Sequence, residues 1–188
     1  SRMKIAGQKD WESYLQNLEQ IRYRDGTLQG YVSRLHYFSD WIRDNQEKEL
    51  VKDITPEIGG VSVVKEINFM GTHSELYPAL GQGDHLEEIR SIEASLSSET
   101  LCILPSEAVS GQEGLFRDGD IIALATKIQG LDVTHTGIAL KGSDGRIHLL
   151  HASTKGAVMI SEESLSEYLK NSKGTTGVIV VRPLPPKS

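Results

Sequence analysis

Two histidines stand where nucleophilic catalysis would want them. His135 lies at the start of the run Thr134-His135-Thr136-Gly137-Ile138-Ala139-Leu140, and His151 closes the run Ile147-His148-Leu149-Leu150-His151. Between them, Gly142-Ser143-Asp144-Gly145 has the composition of a turn. A histidine on one strand, oriented by a polar partner on the next, is the arrangement that a Cys–His or Ser–His enzyme requires. Period-two alternation puts His135, Gly137 and Ala139 on one face of the first strand and Thr136, Ile138 and Leu140 on the other. The histidine face is otherwise small, which predicts room for a substrate. His135 and His151 are separated by an even number of residues, so a two-residue Asp144-Gly145 turn would put them on opposite faces. A catalytic pair therefore requires a longer connection, roughly Lys141 to Gly145, or a bulge. The competing reading is an ordinary hairpin with two unrelated histidines.

A second group of candidates lies in Ser33 to Ile42, SRLHYFSDWI. If Ser33 starts a helix, His36 and Asp40 share a face and Asp40 would hold His36 in one tautomer. Arg34 suits a carboxylate, and Tyr37 an apolar or glycan surface. Arg34, His36, Tyr37 and Asp40 are thus candidate substrate-binding residues. The alternative is a helix that buries Leu35, Phe38 and Trp41 and leaves its polar residues to solvent. Arg22 and Arg24 read as partners in structural ion pairs. His73 with His85, or His148 with His151, make weak metal pairs: the chain has no HExxH and no CxxC. His148 and His151 also point to opposite faces of a strand. No Gly-x-Ser-x-Gly elbow supports a serine nucleophile. Neither a metal nor a cofactor is expected.

The elements that must position these residues fall into a helical front and a strand-rich back. Asp10 caps a predicted helix bearing Trp11, Tyr14, Leu15, Leu18 and Ile21, which stops at Asp25-Gly26. The Ser33 helix follows, then an extended segment over Val61, Val63, Ile67 and Phe69. Asp84 with Glu87 resembles a capping box for a helix carrying Leu86, Ile89, Ile92 and Leu96. Strands are predicted at Leu101 to Leu104, Asp120 to Thr126, Val133 to Leu140, Ile147 to His151 and Val178 to Val181. One short helix with Leu165, Tyr168 and Leu169 interrupts them, with Ser161 as its expected cap. The tail Pro183-Leu184-Pro185-Pro186 cannot enter a sheet interior. Helices first and antiparallel strands after make an α+β layout.

Composition sets outer limits. The 188 residues, 38% of them hydrophobic, suffice for one compact core. A net charge of −6 and a pI near 5.5 argue against a nucleic-acid partner. No apolar run reaches the roughly 18 residues of a membrane span. The single cysteine, Cys102 in Leu101-Cys102-Ile103-Leu104, excludes an internal disulfide framework and reads as a buried, inert strand residue.

The runs Gly119-Asp120-Ile121-Ile122-Ala123-Leu124, THTGIAL and HLLHAS resemble the second half of the NlpC-type papain-like cell-wall hydrolases. IRYRDG (Ile21 to Gly26), SRLHYFSDWI, INFM (Ile67 to Met70) and GLDVTHTGIA narrow the match. Together they look like the N-acetylmuramoyl-L-alanine amidase-like family of Gram-negative envelopes, over nearly the whole chain. The resemblance implies a papain-like α+β fold, its helical front half packed on an antiparallel sheet, with His135 as base and His151 orienting it. It implies a peptidoglycan or muropeptide substrate and a periplasmic or envelope location. It also implies a nucleophilic cysteine in an Asp-Cys-Thr-Thr-Phe-Val-Glu-like segment at a helix start, which this sequence lacks. Ser1-Arg2-Met3-Lys4 reads like the tail of an interrupted helix. The expectation is therefore a single domain over residues 1–188, the C-terminal portion of a cysteine amide hydrolase whose nucleophile lies upstream. Alone it would be inactive, and its surface would bear an apolar scar at Leu15, Leu18, Gly137 and Ala139. The bond cleaved is the lactyl amide to L-alanine or one within the stem peptide, such as that after γ-linked D-glutamate. The non-enzymatic alternative is a module that binds cell-wall peptides.

Overall fold

Strand β4 (Ile121–Thr126), up to Ala125, and the middle of strand β8 (Thr175–Pro183) are apolar at every step because both of their faces are covered. Ile122, Leu124, Val178 and Val180 point into one core, whereas Ala123, Ala125, Ile179 and Val181 point into another. A computed structural model describes this arrangement for residues 10–153 and 156–185. The remaining strands are β1 (Val51–Asp53), β2 (Val61–Val64), β3 (Thr100–Pro105), β5 (Val133–Lys141), β6 (Ile147–Ala152) and β7 (Val158–Ile160). The sheet order is β2-β3-β8-β4-β5-β6-β7, with β1 pairing β8 beside the end of β3, and each ladder is antiparallel. The mixed helix and antiparallel-sheet class read from the sequence is the class observed.

Helices cover both faces. Helix α1 (Trp11–Arg22) and helix α2 (Phe38–Glu47) lie on the side of Ala123 and Ile179, through Ile21, Phe38, Trp41 and Ile42. Of the others, α3 (Phe69–Thr72) and α4 (His85–Ser97) enclose a third core with Tyr37, Ile67, Met70, Ile89 and Leu96. On the opposite face of the sheet, α5 (Val109–Gln112) and α6 (Leu165–Asn171) pack Val109, Leu165 and Leu169 against Leu124, Ala139 and Leu149.

Asp10 caps α1 as expected, accepting from the Ser13 N–H at 2.7 Å. Three other helix starts differ in position or capping from the sequence reading. The second helix begins at Phe38, not Ser33, because the preceding residues bond to the end of α1 instead: Arg24 N–H donates to Ser33 O and Leu35 N–H to Arg22 O. Asp84 stands at the N-cap position of α4 as the sequence suggests, but its side chain makes no capping bond, and its ψ of 12° departs from the extended geometry of a cap. The cap of α6 is Ser164, in a box with Glu167. Ser161 is instead tied to β6, its hydroxyl accepting from Leu149 N–H and donating to Glu163 O. The extended segment after Gly60 stops at Val64; Ile67 makes one isolated bridge to Gly130, and Phe69 opens α3. Pro183 ends β8 opposite Val51, at the sheet margin. Ser1 to Lys4 and Pro186 lie outside the described residues.

Candidate functional site

The β5–β6 hairpin brings the two histidines together. Its last pair is Lys141 with Ile147, so the connection is the five residues 142–146, closed by Gly142 N–H donating to Arg146 O. The odd length preserves parity: Ile138 pairs with Leu150 and Ala139 with Leu149. In that register His151 falls beside Gly137, diagonal to His135 on the same face. Diagonal neighbours sit about 7–8 Å apart at the backbone, within reach of two imidazoles. His135 Nε2 and His151 Nδ1 are 2.7 Å apart, with the rings nearly perpendicular at 83°. One proton lies between them, and which ring carries it sets the chemistry of both.

A bulge precedes the first histidine. Leu124 pairs with His135, but the next residue of β4, Ala125, pairs with Val133, leaving Thr134 unmatched. Val133 is thereby turned to the opposite core while His135 stays on the face of Leu124. His151 is 8% exposed and packs edge-on against Tyr168 of α6, ring centroids 5.5 Å apart. His151 and Tyr168 line a cleft with Met159, Ser161, Glu162 and Glu163. Burial pushes the His135 pKa below its ordinary value, and the neighbouring His151 pushes it further. The shift favours the neutral form of His135, the form that a base needs.

The small face beside His135 is not open. Ala139 is fully buried, and a Cβ on Gly137 would fall 2.6 Å from Leu149 Cδ1, so Leu149 fills the space that the glycine leaves. The room predicted for substrate on that face, and the sheet half of the predicted scar, are absent for this reason. On the helical side Trp11 is 71% and Leu15 47% exposed, whereas Leu18 is half-buried.

The candidates in Ser33 to Ile42 are dispersed. His36 precedes α2, and its Nε2 meets Tyr31 O at 3.0 Å, not Asp40. Asp40 is 1% exposed and accepts from Arg24 at 2.6 and 3.2 Å and from Arg43 at 2.8 Å, so the predicted His36–Asp40 pairing does not form. That assigns Arg24 to an ion pair, as its sequence context suggested. Tyr37 is buried; its hydroxyl donates to Glu93 Oε1 at 2.6 Å and accepts from Met70 N–H. Arg34 is exposed. Of the four, only Arg34 and His36 offer surface beyond the scaffold.

Cys102 is half-buried on β3, paired to Ser62, and burial raises its thiol pKa. Between β3 and β5 stand β8 and β4, so three interstrand spacings, about 14 Å, separate its strand from that of His135. It is neither placed nor ionised to act with that base.

Asp132 was not singled out from sequence and proves central to positioning. It is 1% exposed and accepts from Ser39 N–H (2.7 Å), Ser39 Oγ (2.9 Å) and Val133 N–H (2.8 Å). Ser39 is in the first turn of α2, so this carboxylate caps that helix from three residues before His135. The adjacent Gly130 docks on α3: its carbonyl accepts from Asn68 and Phe69 N–H groups, and a Cβ there would fall 2.3 Å from Asn68 Oδ1. A lone acid between two apolar residues was the available signal. Among the described residues no group of three potential metal ligands converges.

A family model described as AmiA-like, N-acetylmuramoyl-L-alanine amidase-like, matches residues 3–177. A Bacteroides uniformis structure named N-acetylmuramoyl-L-alanine amidase superimposes with a TM-score of 0.88 at 36% identity, over 93% of this chain and 75% of that one. A Bacteroides fragilis structure described as a candidate xylanase gives 0.87 at 38% identity, over 94% and 77%. A Legionella pneumophila protein shares the fold alone, at 23% identity and a TM-score of 0.68, over 95% and 71%. No curated protein matches.

Proposed function

The chain belongs to the N-acetylmuramoyl-L-alanine amidase-like family, and we propose that it carries the base and the orienting residue of a cysteine-dependent peptidoglycan amide hydrolase. The observation that supports this reading is the 2.7 Å contact between His135 Nε2 and His151 Nδ1. The productive tautomer has His135 donating Nε2–H to His151 Nδ1. The lone pair of His135 Nδ1 is then free to take a thiol proton, and the resulting imidazolium later protonates the leaving amine. In the reverse tautomer Nδ1 would carry the hydrogen and no base would remain. His151 thus selects the tautomer, the role of the third residue in other triads.

The thiolate comes from an upstream cysteine at a helix start, whose backbone amides stabilise the oxyanion. Cys102 does not replace it, so residues 1–188 alone do not turn over. They form one domain of papain-like, NlpC-type architecture, working in the periplasm or cell envelope. Arg34 and His36 are the residues of their segment that meet substrate, while Tyr37 and Asp40 brace it.

The test is a longer product of the gene that includes an upstream Asp-Cys segment, assayed on muropeptides with products identified by mass. His135→Ala lowers kcat by about 10²–10⁴-fold, the usual worth of a general base. His151→Ala lowers it less and narrows the pH profile. A product with free lactyl carboxylate identifies the amidase reaction; cleavage after γ-linked D-glutamate identifies the endopeptidase. Full activity of His135→Ala, or the absence of any upstream cysteine in the gene, refutes the catalytic reading and favours a binding module.

A further inference from the structure

Glu93 is a buried carboxylate only half used by the scaffold. It is 3% exposed, and its Oε1 accepts both the Tyr37 hydroxyl at 2.6 Å and Gly71 N–H at 2.9 Å. Oε2 has no hydrogen-bond partner among the described residues and faces a cleft lined by Asn68, Gly71, Thr72 and Arg90. Gly71 keeps that oxygen reachable, since a Cβ there would fall 2.4 Å from it. Arg90 precedes Glu93 by three residues on α4, so the two side chains rise from the same helix face about 5–6 Å apart. The Arg90 guanidinium is exposed and makes only a long contact, 3.4 Å, to Gly71 O. No cation neutralises Glu93 among the described residues. A buried carboxylate without one gains most from an ammonium that arrives with its own N–H donors.

We infer that this cleft binds a zwitterionic α-amino-acid end, its ammonium on Glu93 Oε2 and its carboxylate on Arg90. The inference deepens the peptidoglycan reading and rests on it for the source of the ligand, because a stem peptide that ends in 2,6-diaminopimelic acid carries a free ammonium and a free carboxylate on one carbon. Asn68, on the cleft wall, touches Gly130, and the five residues from Gly130 to His135 span at most about 18 Å. The cleft wall is thus joined to the base-bearing strand by one short segment of chain.

Calorimetric titration of the chain tests the site without turnover, so failure here leaves the hydrolase reading intact. The probes are free 2,6-diaminopimelic acid, a stem tripeptide ending in it, and the Nα,Nε-diacetyl and dimethyl-ester forms of the free acid. The unmodified probes bind, and acetylation or esterification weakens binding at least tenfold. Arg90→Gln, a surface change, weakens binding about tenfold while leaving the melting temperature unchanged. Glu93→Gln abolishes ammonium preference where the variant folds. Tighter binding of the tripeptide supports the site as a stem-peptide pocket, and equal binding supports it as a pocket for the amino acid itself. No heat with either unmodified probe at 20-fold excess overturns the proposal, as does indifference to Arg90→Gln or to acetylation.

Discussion

Replacing Asp132 with alanine removes a buried carboxylate that ties the start of the His135 strand to helix α2. Three donors lose their acceptor: Ser39 N–H, Ser39 Oγ and Val133 N–H, all within 2.9 Å of the carboxylate. A hydrogen bond to a charged group is worth about 1.5–3 kcal/mol, and each buried donor left unpaired costs about 1–3 kcal/mol. Water will reach part of the space that the carboxylate vacates, so the low end of the sum applies, about 3–4 kcal/mol. For a chain of this size each kcal/mol moves the melting temperature by about 2–4 °C, which gives a fall of roughly 6–15 °C. Two controls apportion it. Asp132→Asn keeps one acceptor oxygen and costs about half as much, whereas Ser39→Ala keeps the backbone donor and costs about 1 kcal/mol. Thermal melts followed by circular dichroism read all three. A shift under 2 °C for Asp132→Ala, or a Ser39→Ala loss equal to it, would refute the idea that this carboxylate carries the junction.

The pH dependence follows from His135. Its folded pKa lies below the unfolded value, so the unfolded chain binds the extra proton in the window between the two. The stability contribution is present above the ordinary histidine pKa and is lost as pH falls through the depressed folded value. Denaturant midpoints should therefore drop below about pH 6.5, and drop less in His135→Gln. Removing the second cause, the neighbouring His151 imidazole, moves the His135 titration upward: His151→Asn raises the His135 pKa in an NMR titration, and an unchanged value would show that burial alone sets it. Cys102→Ala costs about 1 kcal/mol in a denaturant melt. In a gene product that carries an upstream cysteine segment it leaves turnover intact, and loss of turnover in a folded protein would place the nucleophile on β3.

Most of the regular structure was legible because the local signals agree with the global fold. The run at Ile121 to Ala125 is apolar at each position, that at Val178 to Val181 is apolar and β-branched throughout, and both faces of those strands are buried. The even spacing of His135 and His151 likewise decided, before any coordinates, that a shared face demanded an odd connection, and the loop is five residues long. Helix starts were less legible, because a cap is chosen by competition among nearby donors. Ser164 has Glu167 three residues on, a capping-box spacing that the sequence offered, and the bond from Leu149 N–H to the Ser161 hydroxyl holds Ser161 elsewhere. Tertiary structure alone decided the polar partners. Asp40 lies one helical turn from His36 in sequence yet pairs with Arg24, since His36 is held outside the helix by the bonds from Leu35 N–H to Arg22 O and from Arg24 N–H to Ser33 O. Asp132 meets Ser39 across 93 residues of chain, and Glu93 meets Tyr37 across 56. Spacing along a chain determines which side chains share a face. It does not determine which buried donor a buried carboxylate will find, because that depends on how separate elements stack.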